Sequence, residues 1–149
     1  MTRPSKDAWA LGLARLTAQR GTCPRRQVGC VLTDARGHVV ATGYNGRPRG
    51  FPHCDEAAPA DRCPGAGAPS GTDLSGCEAV HAEMNALLQC RDVDLIATCY
   101  VTVSPCVTCT KLLLNTSCRR IVAAAAYAHD AAARALWARG GGTWEVHDE

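Results

Sequence analysis

The chain has 149 residues, 46% of them hydrophobic and 20% charged, with a net charge of +2 at pH 7. Those values suit a globular protein with one sizeable core, and they exclude both a disordered tail and a polyanion-binding surface built on bulk charge. Aromatic residues make up 5%, too few for a stacking platform under single-stranded nucleic acid, so nucleic acid is not an expected partner.

Trp9, Leu13 and Leu16 recur at helical spacing and predict a first helix over Lys6 to Arg20, ended by Gly21. The turn Asp34-Ala35-Arg36-Gly37 separates two strands, Val28 to Thr33 and His38 to Thr42. From Gly43 to Gly76 the chain is rich in Gly, Pro, Asp and Ala without a sustained period. That is long for a connection in a compact domain and points to a functional or pinned segment. Val80, Met84, Leu87 and Leu88 mark a second helix, and Leu95 to Val103 reads as a strand. Ser104 and Pro105 read as N-cap and first turn of a third helix running to Asn115. Arg119 to Ala125 is a further strand, Asp130 to Arg139 a helix closed by Gly140, and Thr143 to Val146 a last short strand. The first two strands form an antiparallel hairpin, and the later strand–helix–strand order favours parallel pairing. The expectation is an α/β fold: a three-layer α/β/α sandwich with a mixed sheet of about five strands, forming a single domain over residues 1–149.

Ten cysteines are many for this length. Met1 to Leu16 reads as a helix of mixed polarity rather than a secretory signal, and no stretch has the length and apolarity of a membrane span, so a cytoplasmic setting is expected. In that reducing compartment, clustered cysteines bind metal more often than they pair as disulfides. Cys30 and Cys99 sit within apolar strand patterns and read as buried small hydrophobes.

His81-Ala82-Glu83 and Pro105-Cys106-Val107-Thr108-Cys109 carry the chemistry. One imidazole and two thiolates leave the fourth tetrahedral position of a zinc ion open for water, which zinc turns into a nucleophile near neutral pH. A position near a helix N-terminus favours the Cys106 thiolate, and Cys109 follows on the same face. Glu83 is two residues from His81. On a helix that spacing does not share a face, so Glu83 is free to act as acid and base rather than as a fourth ligand. A redox role for Cys106 and Cys109 leaves His81 and Glu83 unexplained, and a purely structural zinc module has no use for Glu83.

Cys23, Cys54, Cys63 and Cys77 all fall in loop-like segments, where packing gives cysteine no reason to gather. Four thiolates, or three with His53, satisfy a closed structural zinc site that would pin the long segment. Arg26, Arg47 and Arg49 have the fork geometry that suits phosphate oxygens, although each taken alone also reads as solvated surface charge. Asn45-Gly46 reads equally as a turn dipeptide or as a substrate contact. Lys111 reads as surface.

The H-x-E and P-C-x-x-C pair is a recognised signature of zinc-dependent nucleobase deaminases. With Arg20-Gly21-Thr22-Cys23-Pro24-Arg25-Arg26, Gly43-Tyr44-Asn45-Gly46, His53-Cys54 and His81-Ala82-Glu83-Met84-Asn85-Ala86, the chain resembles deoxycytidylate deaminases, including the bacterial late-competence type, from the first helix to about Tyr127. The resemblance implies hydrolysis of dCMP to dUMP and ammonia, with a modified dCMP, a cytosine nucleoside or another aminated heterocycle as alternative substrates. It implies a homo-oligomer, dimer or hexamer, and a structural zinc on cysteines like Cys23 and Cys54. It also places Asn45 at the sugar and Tyr127 near the base. Arg26, Asn45, Ser104 and Tyr127 are thus the candidate substrate residues. Three features depart from the family pattern, the first being a segment from Ala57 to Gly76 that is longer and richer in Gly and Pro. Cys77-Glu78-Ala79-Val80 replaces a cysteine followed by Arg-Thr, and Asp92 falls near a position where some members carry a basic residue for allosteric activation.

Overall fold

The computed structural model describes residues 2–58, 61, 63–65 and 77–147. Its elements are α1 (Lys6–Ala18), β1 (Gly29–Thr33), β2 (Val39–Tyr44), α2 (Ala82–Gln89), β3 (Thr98–Val101), α3 (Val107–Leu114), β4 (Arg120–Ala123), α4 (Ala131–Arg139) and β5 (Thr143–Val146). The sheet runs β2-β1-β3-β4-β5. β1 is antiparallel to both β2 and β3, while β3, β4 and β5 are parallel. The expected mixed five-stranded sheet between helical layers is therefore present. Of the long Gly43 to Gly76 segment, residues 59, 60, 62 and 66–76 lie outside the described residues.

The period of two along the strands divides the core. Cys30, Leu32, Cys99, Val101, Ile121 and Ala123 face one side, where they pack with Ala82 and Ala86 of α2, Leu113 of α3 and Trp137 of α4. Val31, Tyr100 and Val122 face the other side, against Ala10, Leu11 and Ala14 of α1. Cys30 and Cys99 are buried as expected, with sulfurs 3.7 Å apart.

The buried face of α1 differs from the one predicted. Trp9 and Leu16 are 44% and 62% exposed, and Ala10, Leu11, Ala14 and Ala18 are buried instead. The reason is close approach. A Cβ on Gly29 of β1 would fall 2.0 Å from the Ala14 carbonyl oxygen, so helix and strand meet backbone to backbone and only small residues fit between them. The same device seats α2, because a Cβ on Gly43 of β2 would lie 2.2 Å from the Ala82 carbonyl oxygen.

Three boundaries also shift. β2 continues through Tyr44, two residues past the predicted end. β3 starts at Thr98, because a 3-10 turn over Val93–Leu95 precedes it, with the Asp92 carboxylate accepting from the Asp94 N–H. The third helix begins later than Ser104-Pro105 predicts. The Ser104 hydroxyl donates to the Ala125 carbonyl instead, and Cys106 is the N-cap.

A polar clasp joins α1 to the sheet. Arg120 donates to both carboxylate oxygens of Asp7, at 2.9 and 2.7 Å, and to Glu145 at 2.6 and 3.1 Å. Tyr100 donates its hydroxyl to Asp7 at 2.6 Å. Asp7, Glu145 and His147 are close enough together to suggest a cation site, but the Arg120 guanidinium already supplies the charge at their centre.

Candidate active site and metal centre

Two helix starts converge below the cavity. His81 is the N-cap residue of α2, with extended backbone and no capping bond from its ring, which leaves the imidazole free to ligate. Cys106 caps α3, its sulfur accepting from the Cys109 N–H at 3.4 Å. His81 Nδ1 lies 3.5 Å from Cys106 Sγ and 3.3 Å from Cys109 Sγ. Zinc–sulfur bonds of about 2.3 Å and zinc–nitrogen bonds of about 2.0–2.1 Å at tetrahedral angles put such donors about 3.5 Å apart. The trio therefore fits zinc in distance and in donor chemistry.

The charges fit as well. A hydrogen bond from the Cys109 thiol and another with His81 bring Cys106 down to about 4, against the cost of burial. Cys109, which gives that hydrogen bond and is itself buried, is pushed up. The bond with Cys106 raises His81. A cation arriving among these groups takes the place of the shared protons, so binding releases protons.

Glu83 lies in the first turn of α2 and lines the same cavity as His81. It is 4% exposed, within reach of the Cys109 thiol. Burial raises its carboxyl above the ordinary glutamate value, against the lowering effect of Cys109 and His81. A carboxyl beside a metal centre can both take and return a proton.

The cavity above these groups has a volume of about 440 Å³. His81, Glu83 and Cys106 form its floor, and the candidates Arg26, Asn45, Ser104 and Tyr127 all line it. The Arg26 guanidinium lies 5.2 Å from the centre of the Tyr127 ring. Asn45 is 8% exposed. Its Oδ1 accepts from the Val28 N–H at 2.8 Å, and its Nδ2 donates to the Arg26 carbonyl at 2.7 Å. Gly21 makes room for it, since a Cβ there would lie 2.5 Å from Asn45 Oδ1. Arg25 also lines the cavity. The sequence gives it no mark beyond its place beside Arg26.

Two reserve candidates for a phosphate lie elsewhere. Arg49 is exposed and off the cavity. Arg47 is committed to the fold, its side chain only 7% exposed. It donates to the carbonyls of Pro52 (3.1 Å) and Asp61 and to Glu78 Oε1 (2.6 Å), and its guanidinium lies 5.4 Å from the Phe51 ring centre. Glu78, which departs from the family pattern, is the residue that pairs with Arg47. Lys111 is exposed, as read from the sequence.

The loop cysteines do gather. Cys63 and Cys77 sulfurs are 3.9 Å apart, and the Glu78 N–H donates to Cys63 at 3.1 Å. Cys54 is within hydrogen-bonding reach of Cys63, burial raises it to about 11, and Cys23 lines the same cavity as Cys77. None of the four is in a disulfide. They are looser than the His81 trio, whose ligand atoms all lie within 4.8 Å of one another. His53 is exposed.

Comparison with known proteins agrees with this geometry. Residues 4–125 match the family model described as the cytidine and deoxycytidylate deaminase zinc-binding region. The chain is 44% identical over 127 residues to the deoxycytidylate deaminase of Mycobacterium phage D29, covering 82% of this chain and 96% of that protein. It is 40% identical over 131 residues to the deoxycytidylate deaminase of Schizosaccharomyces pombe, covering 86% of this chain but only 39% of that longer protein. The fold superposes on the dCMP deaminase of cyanophage S-TIM5, solved in complex with dCMP and dUMP, with a TM-score of 0.73 at 23% identity, over 98% of this chain and 99% of that one. With the family match running from α1 to just past β4 and taking in the metal trio and Glu83, the chain belongs to the zinc-binding cytidine and deoxycytidylate deaminase family.

Proposed function

We propose that this chain hydrolyses dCMP to dUMP and ammonia. The observation that carries the reading is one cavity lined by His81, Cys106 and a buried Glu83, with Cys109 buried behind them within ligand distance of His81 and Cys106, and with Arg26 against Tyr127 on its wall. The close relatives named deoxycytidylate deaminase support the choice of substrate.

His81, Cys106 and Cys109 would hold a zinc ion, which when bound would supply a water with a pKa near 7. Glu83 takes one proton from the water that attacks C4 and delivers it to N3, then takes the second from the resulting C4 hydroxyl and hands it to the amine, so that ammonia leaves as the C4 carbonyl forms. Cys106 and Cys109 hold their place at the start of α3, where backbone N–H groups stabilise negative sulfur. Arg26 offers the 5′-phosphate a guanidinium fork, and Tyr127 braces that guanidinium and walls the base side of the cavity. Asn45 shapes the sugar side. Ser104, buried between β3 and α3, closes the cavity behind the base.

Cys23, Cys54, Cys63 and Cys77 form a second, structural zinc site in this reading, with Cys63 rather than exposed His53 as the fourth ligand. The protein works as one deaminase domain in a reducing, cytoplasmic setting, which suits ten free thiols. It assembles as a homo-oligomer. Exposed Leu88 on α2 and Val107 and Leu112 on α3 supply apolar surface for that assembly. Among the described residues, no helix is long and apolar enough to cross a membrane.

Ammonia release from dCMP, dCTP, deoxycytidine and cytosine, measured side by side on zinc-loaded protein, tests the reading. dCMP is the expected best substrate. A higher kcat/KM for deoxycytidine or cytosine would overturn the monophosphate assignment.

A further inference from the structure

Asn85 is on α2, four residues after His81 and two after Glu83, and it does not line the cavity. Its backbone N–H donates to the His81 carbonyl at 3.0 Å, closing the first turn of the helix. Its side-chain Nδ2 donates to the Tyr44 carbonyl at 2.8 Å, at the end of β2. The next residue is Asn45, whose side chain holds Arg26 and Val28 by two hydrogen bonds. The Asn45 carbonyl in turn accepts from the Thr22 N–H at 3.1 Å. A hydrogen-bonded path thus runs from the helix carrying His81 and Glu83, through Asn85, Tyr44 and Asn45, to the backbone of Arg26. A second tie runs alongside it, where Gly46 and Val80 exchange backbone hydrogen bonds at 3.1 and 2.7 Å.

We propose that Asn85 is a positioning residue for the substrate: it fixes the distance between the metal-ligand helix and the segment that presents Arg26. The inference rests on the monophosphate reading above. A nucleotide is held at two ends, and hydrolysis requires that its base reach the metal while its phosphate reaches Arg26. Backbone shifts of about 1 Å away from the chemistry can cost on the order of a hundredfold in rate. Asn85 can prevent such a shift because its amide donates to a carbonyl, a bond that neither Ala nor Asp can make. A role confined to stability would not distinguish a nucleotide from its nucleoside. A positioning role does, because only the nucleotide engages Arg26.

The test uses binding rather than turnover. Calorimetry on zinc-loaded wild type, Asn85→Ala and Asn85→Asp measures dUMP and deoxyuridine, with zinc content and melting temperature recorded for each. Wild type should prefer dUMP. In both variants the dUMP-to-deoxyuridine affinity ratio should fall by about tenfold or more with zinc retained, since both ligands carry the sugar beside Asn45 but only dUMP engages Arg26. In an Arg26→Ala background, Asn85→Ala should leave the ratio unchanged. An unaltered ratio in the single variants overturns the proposal, and so does an equal loss for both ligands. Ala is a strong helix former and Asp keeps the shape of Asn, so at least one variant should fold. Failure of both to fold would make Asn85 a folding residue and also overturn the proposal. If wild type binds the two ligands equally, the monophosphate reading itself has failed.

Discussion

His81 and Cys106 each occupy the N-cap of a helix, and the ring nitrogen of one lies 3.5 Å from the sulfur of the other. The metal site is therefore built where two helices begin, at points fixed by the one sheet face on which both helices pack. Backbone N–H groups there are unpaired and favour negative ligands. The cap sulfur of Cys106 already accepts one of those N–H bonds, so the helix and the metal draw on the same thiolate.

Removing that sulfur should remove the metal. Cys106→Ala is expected to contain one zinc fewer per chain than wild type and to lose deamination, because two donors remain of three. Metal analysis by mass spectrometry together with an ammonia assay checks it. Retention of full zinc content would contradict the ligand assignment.

The loop cysteines yield a separable prediction. Cys63→Ser should lower zinc from two ions per chain to one while leaving the ion at His81, and should lower the melting temperature. The second ion would hold the segment around Cys54 to the segment before α2, so its loss frees both. Two ions retained in Cys63→Ser, or a wild type with a single ion, would contradict the second site.

The Asp7–Arg120 clasp has a pH signature. The Arg120 hydrogen bonds lower Asp7 from 3.8 to about 2, against the opposing effect of burial. A carboxyl lowered on folding stabilises the fold above its unfolded pKa, and that contribution fades as pH falls through the folded value. The window is thus about pH 3.8 down to about 2. Asp7→Asn should cost about 1–2 kcal/mol at pH 6, discounted for partial exposure, and the gap to wild type should close across that window. Urea denaturation at a series of pH values measures it. A gap that persists unchanged at pH 2 would show that charge is not its source.

Much of this site was legible in the sequence because its chemistry depends on residue type and short spacing. His81-Ala82-Glu83 and the Cys106/Cys109 pair point to the proposed ligands and the proposed acid–base group before any fold is known. The sheet was legible from short apolar runs and the turn Asp34 to Gly37, because its central strands β1 and β3 are buried throughout. The buried face of α1 was not, because it depends on how closely the helix approaches Gly29, a tertiary contact that outweighs the apolar stripe of Trp9, Leu13 and Leu16. The start of α3 misleads for a related reason. Ser104 has the chemistry of a cap, but the Ala125 carbonyl takes its hydroxyl and a sulfur caps in its place. Arg47 reads as a phosphate ligand from sequence because arginine suits both roles. Only the fold shows that its terminal nitrogens donate to the carbonyls of Pro52 and Asp61 and to Glu78.

The most direct test of the central claim is Glu83→Gln, which keeps the side chain's size and removes its capacity to carry a proton. A positioned acid–base group contributes typically about 10²–10⁴-fold in rate. The zinc-loaded variant should keep its metal and its fold and should release ammonia from dCMP slower than wild type by at least the lower of those factors. Wild-type turnover in a zinc-replete Glu83→Gln protein would contradict the account.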